Sequence, residues 1–271
     1  MRAATGKVLI SDLNNQARFT LYDFCVYQWL FMLIRIKRLL ASAITNPLIG
    51  EAIAMAYQNR VPSDGLTVNT QGIVPRNVAM LYWGLYEKAE IQFIKRYLRS
   101  DLDVIELGAS IGIVSAHICR KLRGRRLICV EPNLSLLEAI HANITTNAPG
   151  AQFTIVPKAL YYGDNCRFVF DSDNTASRIG GGESAVAVET ITLSEVINTY
   201  QIKEYTLVSD CEGSEAEFLV KDSDALRNCK HIIIELHDTP DYSVERMSEL
   251  IKSLGFSLVA SHGAVSVFSK P

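Results

Sequence analysis

The sequence predicts an α/β fold: a doubly wound, mostly parallel seven-stranded sheet with one antiparallel strand, preceded by an N-terminal helical extension. Three observations predict it. From residue 103 onward, short apolar runs alternate with stretches of helical period. The runs are almost continuously apolar, as strands covered on both faces by crossover helices must be. Residues 255–269 read instead as two strands around a Ser-His-Gly turn at 261–263, and that hairpin supplies the antiparallel strand.

The elements follow in order. Residues 21–41 and 48–58 read as helices. A polar loop carrying Pro62, Gly65, Gly72 and Pro75 comes next, then one helix over 77–99 with Leu81, Leu85, Ile91, Ile94 and Leu98 on its apolar face. The regular alternation begins with strand 103–107, helix 111–122, strand 126–130, helix 133–147 and strand 152–156. A looser region, 160–190, holds short strands at 166–170 and 186–191 and a triple-glycine turn at 180–182. Strand 205–209, helix 213–220, strand 230–236 and helix 242–253 complete the series. Two domains are expected: 1–76, a helical extension that caps the site, forms a homodimer surface or faces a membrane, and 77–271, the ligand-binding sheet.

Composition narrows the function classes. With 48% apolar residues and a net charge of −2, the chain has a full core and no general attraction to nucleic acid or to an anionic membrane. The six cysteines are scattered with no Cys-x-x-Cys pair, which excludes zinc-ligand spacing and fits a reducing, cytoplasmic location. Residues 1–20 lack the apolar core of a secretory signal. The apolar run 24–34 is about half of the roughly 20 residues a spanning helix needs, and Arg35, Lys37 and Arg38 follow it. Segment 21–41 is expected to be buried, or to lie against the inner membrane face as a peripheral contact.

The loop Ile105-Glu106-Leu107-Gly108-Ala109-Ser110-Ile111-Gly112 follows the first sheet strand and opens a helix, where nucleotide-like ligands bind in such folds. It departs from the dinucleotide fingerprint: Ser110 replaces the middle glycine, and Gly112 falls one residue early. No Gly-Lys-Ser/Thr follows, so a Walker loop is excluded. Glu106 would repel a phosphate and suit a cation. S-adenosylmethionine, with its sulfonium and ammonium, fits better, its ammonium toward Glu106. The next strand ends in Glu131-Pro132-Asn133, and a carboxylate there can accept from both ribose hydroxyls. Lys158 and Ala159 follow the third strand, where an adenine edge would meet the backbone of Ala159.

These stretches resemble the FkbM family of S-adenosylmethionine-dependent methyltransferases. The loop 105–112 is similar to the family's Asp-x-Gly-Ala-Asn-x-Gly, with Glu106 for Asp and Ser110 for Asn. Val208-Ser209-Asp210-Cys211-Glu212-Gly213-Ser214-Glu215 resembles Ile-Asp-x-Glu-Gly-x-Glu, and Ile234-Glu235-Leu236-His237 resembles the Glu-x-His ending. Tyr86-Glu87 stands at the family's distance before the first strand, and Ile191-Thr192-Leu193 before the fourth is typical. The resemblance covers about 86–238 and leaves 1–75 without a counterpart. It implies a Rossmann-like methyltransferase sheet and methylation of hydroxyls on sugars, glycans or other small molecules, with Tyr86 and Glu87 at the cofactor.

The strand tips supply the chemistry. Methyl transfer to an alcohol needs alignment and a base for the hydroxyl proton. Asp210 and Glu235 end or nearly end two strands, and His237 lies two residues beyond Glu235, on the same face of an extended chain. Either Asp210 or His237 is expected to be the base, the other positioning the acceptor; Asp210 also borders the cofactor. A divalent cation, Mg²⁺ or Mn²⁺, on Asp210, Glu235 and His237 is the less favoured variant. Ser177, Arg178 and Glu212, with Asn174, are candidates for acceptor recognition, although acids at 212 and 215 also suit a helix N-terminus regardless of function. The competing readings are an NAD-type oxidoreductase and a non-catalytic cofactor-binding scaffold.

Overall fold

The computed structural model describes residues 32, 35, 39–163, 167–170, 177–179, 186–211 and 213–271. The chain divides into two compact units, Met1–Thr45 and Asn46–Pro271. In the first unit residues 39–44 are helical, and most of the expected helix 21–41 lies outside the described residues. Among the described residues no helix is long and apolar enough to cross a membrane.

The second unit starts at Asn46, whereas the ligand-binding domain was expected from Asn77. The Asn46 side chain accepts from Leu48 N–H (2.9 Å) and Pro47 follows, a strong start signal for α1 (Pro47–Ala56). The expected polar loop is a hairpin, β1 (Arg60–Ser63) and β2 (Leu66–Asn69). Asp64 and Gly65 turn it with φ of 47° and 86°, the left-handed pair of a tight two-residue turn. The hairpin is bound into the body: Asn69 N–H donates to Asn143 Oδ1 (2.7 Å) and Thr67 N–H to Asn147 Oδ1 (2.8 Å).

The expected single helix 77–99 is two, α2 (Pro75–Tyr82) and α3 (Lys88–Tyr97). The chain breaks between them with Gly84 at φ 61° and Glu87 at φ 43°. Apolar periodicity continues across the break because both helices pack on one core, so the pattern hides it.

Beyond this the sequence reading and the structure agree closely. The sheet is built from β3 (Asp103–Leu107), β4 (Arg126–Val130), β5 (Gln152–Val156), β11 (Tyr205–Ser209), β12 (Cys229–Glu235), β13 (Ser257–His262) and β14 (Val265–Ser269), in the order β13-β14-β12-β11-β3-β4-β5. All pairings are parallel except those of β14, which runs against both neighbours. Between them run α4 (Ile113–Lys121), α5 (Leu137–Asn147), α6 (Leu193–Tyr200), α7 (Glu215–Lys221) and α8 (Val244–Ser253). The short strands β6 (Ala159–Leu160) and β10 (Thr190–Ile191) pair in parallel; β7 (Arg167–Phe170), β8 (Ser177–Ile179) and β9 (Val186–Ala187) form a small antiparallel sheet.

Period-two alternation separates two cores. Ile105, Leu107, Ile128, Val130 and Leu207 face the layer of α6, α7 and α8, where Val196, Phe218 and Met247 pack. Val104, Leu127, Cys129 and Val208 face the layer of α3, α4 and α5, with Ile94, Ile118 and Ile140. Chain order reverses between β3 and β11, so a crevice opens beyond their carboxyl ends.

Candidate active site

The crevice is a cavity lined by the exits of β3, β4 and β11. Gly108 leaves β3 with φ 85°, and a Cβ there would lie 1.9 Å from the Asp210 carbonyl oxygen. Only glycine allows the two strand exits to approach so closely. Its N–H donates to Val130 O (2.9 Å), and Asp210 N–H donates to Leu107 O (2.9 Å), which ties the three exits together. Gly112, at φ 78°, lets α5 approach: a Cβ there would meet Ile140 Cα at 2.7 Å.

Ser110 adopts a left-handed φ of 47°, and its N–H donates to Glu131 Oε2 (2.9 Å). The other oxygen of Glu131 accepts from Asn133 N–H (2.8 Å). Burial raises the Glu131 carboxyl to about 7 despite these two donors. Glu131 lines the cavity beside Pro132, with spare lone pairs for ribose hydroxyls. Asn133 is buried and caps the following turn through Ser135 (2.7 Å to its Oγ). Overhead, the break between α2 and α3 places the Tyr86 hydroxyl 3.0 Å from Ser110 Oγ and puts Glu87 in the cavity wall. Burial, then the charge of Asp210, pushes Glu87 up to about 8.

Glu106, Lys158 and Ala159, expected at the cofactor, lie outside the cavity lining, as do Tyr86, Ala109, Gly112 and Asn133. Glu106 lies inside β3, on the face that carries Val104, so its carboxylate turns under α4 and accepts from Ser115 Oγ (2.6 Å). It is 1% exposed and is not among the residues lining the cavity; burial raises its carboxyl to about 7. Ala159 has no N–H to offer an adenine edge, because it donates to Glu189 O (2.8 Å), and Lys158 pairs with Glu189 (3.3 Å). Neither residue lines the cavity. The apolar wall is instead Leu107, Val130, Leu136, Leu160 and Phe168. Sequence reasoning does not single out Leu136, Leu160 and Phe168; their only signal in the sequence is apolarity.

At the far side of the crevice, Asp210 lines the cavity with Cys211 and Ser214. Glu215 is fully buried and accepts from Cys211 N–H (3.0 Å) and Gly213 N–H (2.9 Å), so it shapes the loop after β11. His237 sits between two carboxylates, Nδ1 3.5 Å from Glu215 Oε1 and Nε2 3.7 Å from Glu235 Oε1. The group that brings ligating atoms within 4.8 Å of one another is Asp210, Glu215 and His237; Glu215 stands where Glu235 was expected. Neither Glu235 nor His237 lines the cavity. Glu212 and Asn174 lie outside the described residues, as do the side chains of Ser177 and Arg178, whose backbone forms β8.

Residues 106–258 match the profile of the methyltransferase FkbM domain. The chain belongs to that family. No curated relative matches the sequence. Among solved structures, the methyltransferase is similar to magnesium protoporphyrin IX methyltransferase of Synechocystis PCC 6803 with bound S-adenosylmethionine (10% identity, 67% of this chain and 76% of that chain, TM-score 0.41). It is also similar to a precorrin-6y methyltransferase of Geobacter metallireducens (15% identity, 77% and 95%, TM-score 0.41). Identities and scores this low carry no argument about substrate.

Proposed function

We propose that this methyltransferase moves the methyl group of S-adenosylmethionine to a hydroxyl oxygen of a sugar, glycan or other small-molecule acceptor. The observation that carries the reading is the charge of the crevice. Among the described residues its lining holds three carboxyl groups, Glu87, Glu131 and Asp210, and no lysine, arginine or histidine. Such a lining suits a cationic sulfonium donor and opposes the pyrophosphate of a dinucleotide. The cradle fits the same ligand: Gly108 to Ser110 offers bare backbone, Glu131 has acceptors for a ribose diol, and Leu136, Leu160 and Phe168 form an apolar wall for a base.

The bound donor supplies an electrophilic methyl carbon on a positive sulfur. The protein aligns an acceptor hydroxyl behind that carbon and keeps water out. A C–O bond forms as the C–S bond breaks, its electron pair returning to sulfur, and the hydroxyl proton passes to Asp210. Asp210 is favoured over His237 as the base because it lines the cavity, whereas the imidazole is held between Glu215 and Glu235. Glu87, raised to about 8, keeps its proton at neutral pH.

Transfer of a labelled methyl group to acceptor pools, read by mass spectrometry, tests the reaction. Asp210→Asn is expected to lower turnover by about 100-fold or more while S-adenosylhomocysteine still raises the melting temperature. Unchanged turnover would remove Asp210 from its role. Stabilisation by NADH and not by S-adenosylhomocysteine would overturn the methyltransferase reading. Activity lost on chelation and restored by Mg²⁺ would place a cation on Asp210, Glu215 and His237 and move the base elsewhere.

A further inference from the structure

The carboxylates gather at one rim of the sheet, and the cations gather at the other. Residues 120–126 read Arg-Lys-Leu-Arg-Gly-Arg-Arg, six charged or polar-turn positions around a single leucine, between the end of α4 and the start of β4. The end of α3 lies against them: Lys121 Nζ donates to Ile94 O (2.9 Å) and Lys95 O (2.7 Å), and Arg123 N–H donates to Ser100 O (3.0 Å). Lys95, Arg96 and Arg99 therefore join the same surface. Three of its eight cations are neutralised, Lys95 by Asp64 (2.6 Å), Arg99 by Asp101 (2.7 Å) and Arg126 by Asp103 (2.7 Å). Among the described residues the other five, Arg96, Arg120, Lys121, Arg123 and Arg125, have no ion-pair partner; all but Lys121 are exposed. A net charge of −2 for the whole chain conceals this concentration.

We infer that this basic rim docks the protein on an anionic lipid surface. Clusters of four to eight lysines and arginines bind such surfaces because each cation near the headgroups adds attraction. Beside the patch lies a recess whose lining includes Arg120 and Arg125, with guanidinium donors suited to a phosphate headgroup. RNA is disfavoured, since single-stranded recognition stacks bases on open aromatic rings. The ring within this surface, Tyr97, is already covered by the Arg96 guanidinium (5.1 Å to its centroid) and packed edge-on to Phe93 (5.6 Å). The sequence also carries a second membrane signal, the apolar run 24–34 followed by Arg35, Lys37 and Arg38. Durable attachment generally takes two such signals. The inference stands apart from the choice of donor and acceptor, because the rim lies at the start of the strands whose ends form the crevice, one strand length away.

Co-sedimentation of the full chain with vesicles tests it. The protein should bind vesicles of phosphatidylcholine mixed with phosphatidylglycerol, should not bind phosphatidylcholine alone, and should dissociate as salt is raised. The double variant Arg123→Glu, Arg125→Glu should lose about tenfold or more in vesicle affinity, with stabilisation by S-adenosylhomocysteine unchanged as proof of an intact fold. Equal binding of variant and native protein would place the attraction elsewhere and overturn the inference. So would equal binding to neutral vesicles, or salt-sensitive binding to a transfer RNA without vesicle binding.

Discussion

At the scale of single residues, the glycine loop is constrained by backbone rather than by side chains. Gly108→Ala would force a Cβ to 1.9 Å from the Asp210 carbonyl at a φ that L-residues avoid. The variant should lose on the order of 3 kcal/mol in denaturant unfolding and should no longer be stabilised by S-adenosylhomocysteine. A melting curve within a degree of the native one would show that the strand exits can separate freely. Gly108 and Gly112 were legible in the sequence as glycines of a ligand-holding loop. A motif gives position along the strand but not which face a side chain takes, and Glu106 does not line the cavity. Its place inside β3 puts it with Val104, under α4, and only Glu131, beyond the end of β4, reaches the crevice. Ser110 tolerates its left-handed φ because its N–H and hydroxyl are both engaged, by Glu131 and Tyr86.

At the scale of elements, one asparagine joins three segments. Asn143 of α5 is fully buried; its Nδ2 donates to Ile111 O (2.8 Å) in the glycine loop, and its Oδ1 accepts from Asn69 N–H in the hairpin. Replacement by Ala would leave a buried carbonyl and a backbone N–H without partners, at roughly 1–3 kcal/mol each. Asn143→Ala should therefore speed hydrogen exchange in both 66–69 and 108–112, although the two segments are far apart in sequence. Faster exchange in only one of them would show that the segments are held independently. Nothing local in the sequence marks Asn143, since its partners lie 32 and 74 residues away. The hairpin itself was legible and overlooked: Asp64-Gly65 is a strong two-residue turn signal, outweighed by the surrounding polar residues and Pro62. The central strands β4, β11 and β12 were legible almost residue for residue because burial on both faces leaves a nearly continuous apolar run, a signal that needs no knowledge of partners. The break at Gly84 was not, because a helix pair packed on one core keeps a single apolar stripe.

At the scale of the whole molecule, the crevice rim stores unfavourable acid burial that a cation can relieve. Glu87 is raised to about 8, and Glu106 and Glu131 to about 7, from an ordinary carboxylate value near 4.5. Between pH 5 and 8 the folded protein holds protons that the unfolded chain has already released. These three groups make stability fall as pH rises through this window, while His117 and His231, lowered by burial to about 4, act in the opposite sense below about pH 6.5. Glu87→Gln should flatten the slope and raise the melting temperature at pH 8; a slope unchanged by the substitution would mean that Glu87 ionises normally. The same protons couple to ligand binding. S-adenosylmethionine carries a positive sulfur that S-adenosylhomocysteine lacks, so the first should gain affinity relative to the second as Glu87 ionises. Calorimetric titration across pH 6 to 9 should show the affinity ratio rising toward the donor, and buffers of differing ionisation enthalpy should reveal proton release when the donor binds. In an enzyme so arranged, spent product is held less tightly than fresh donor under the conditions that leave the crevice most negative. A ratio independent of pH would mean that the carboxyl groups around the crevice do not sense the charge on sulfur.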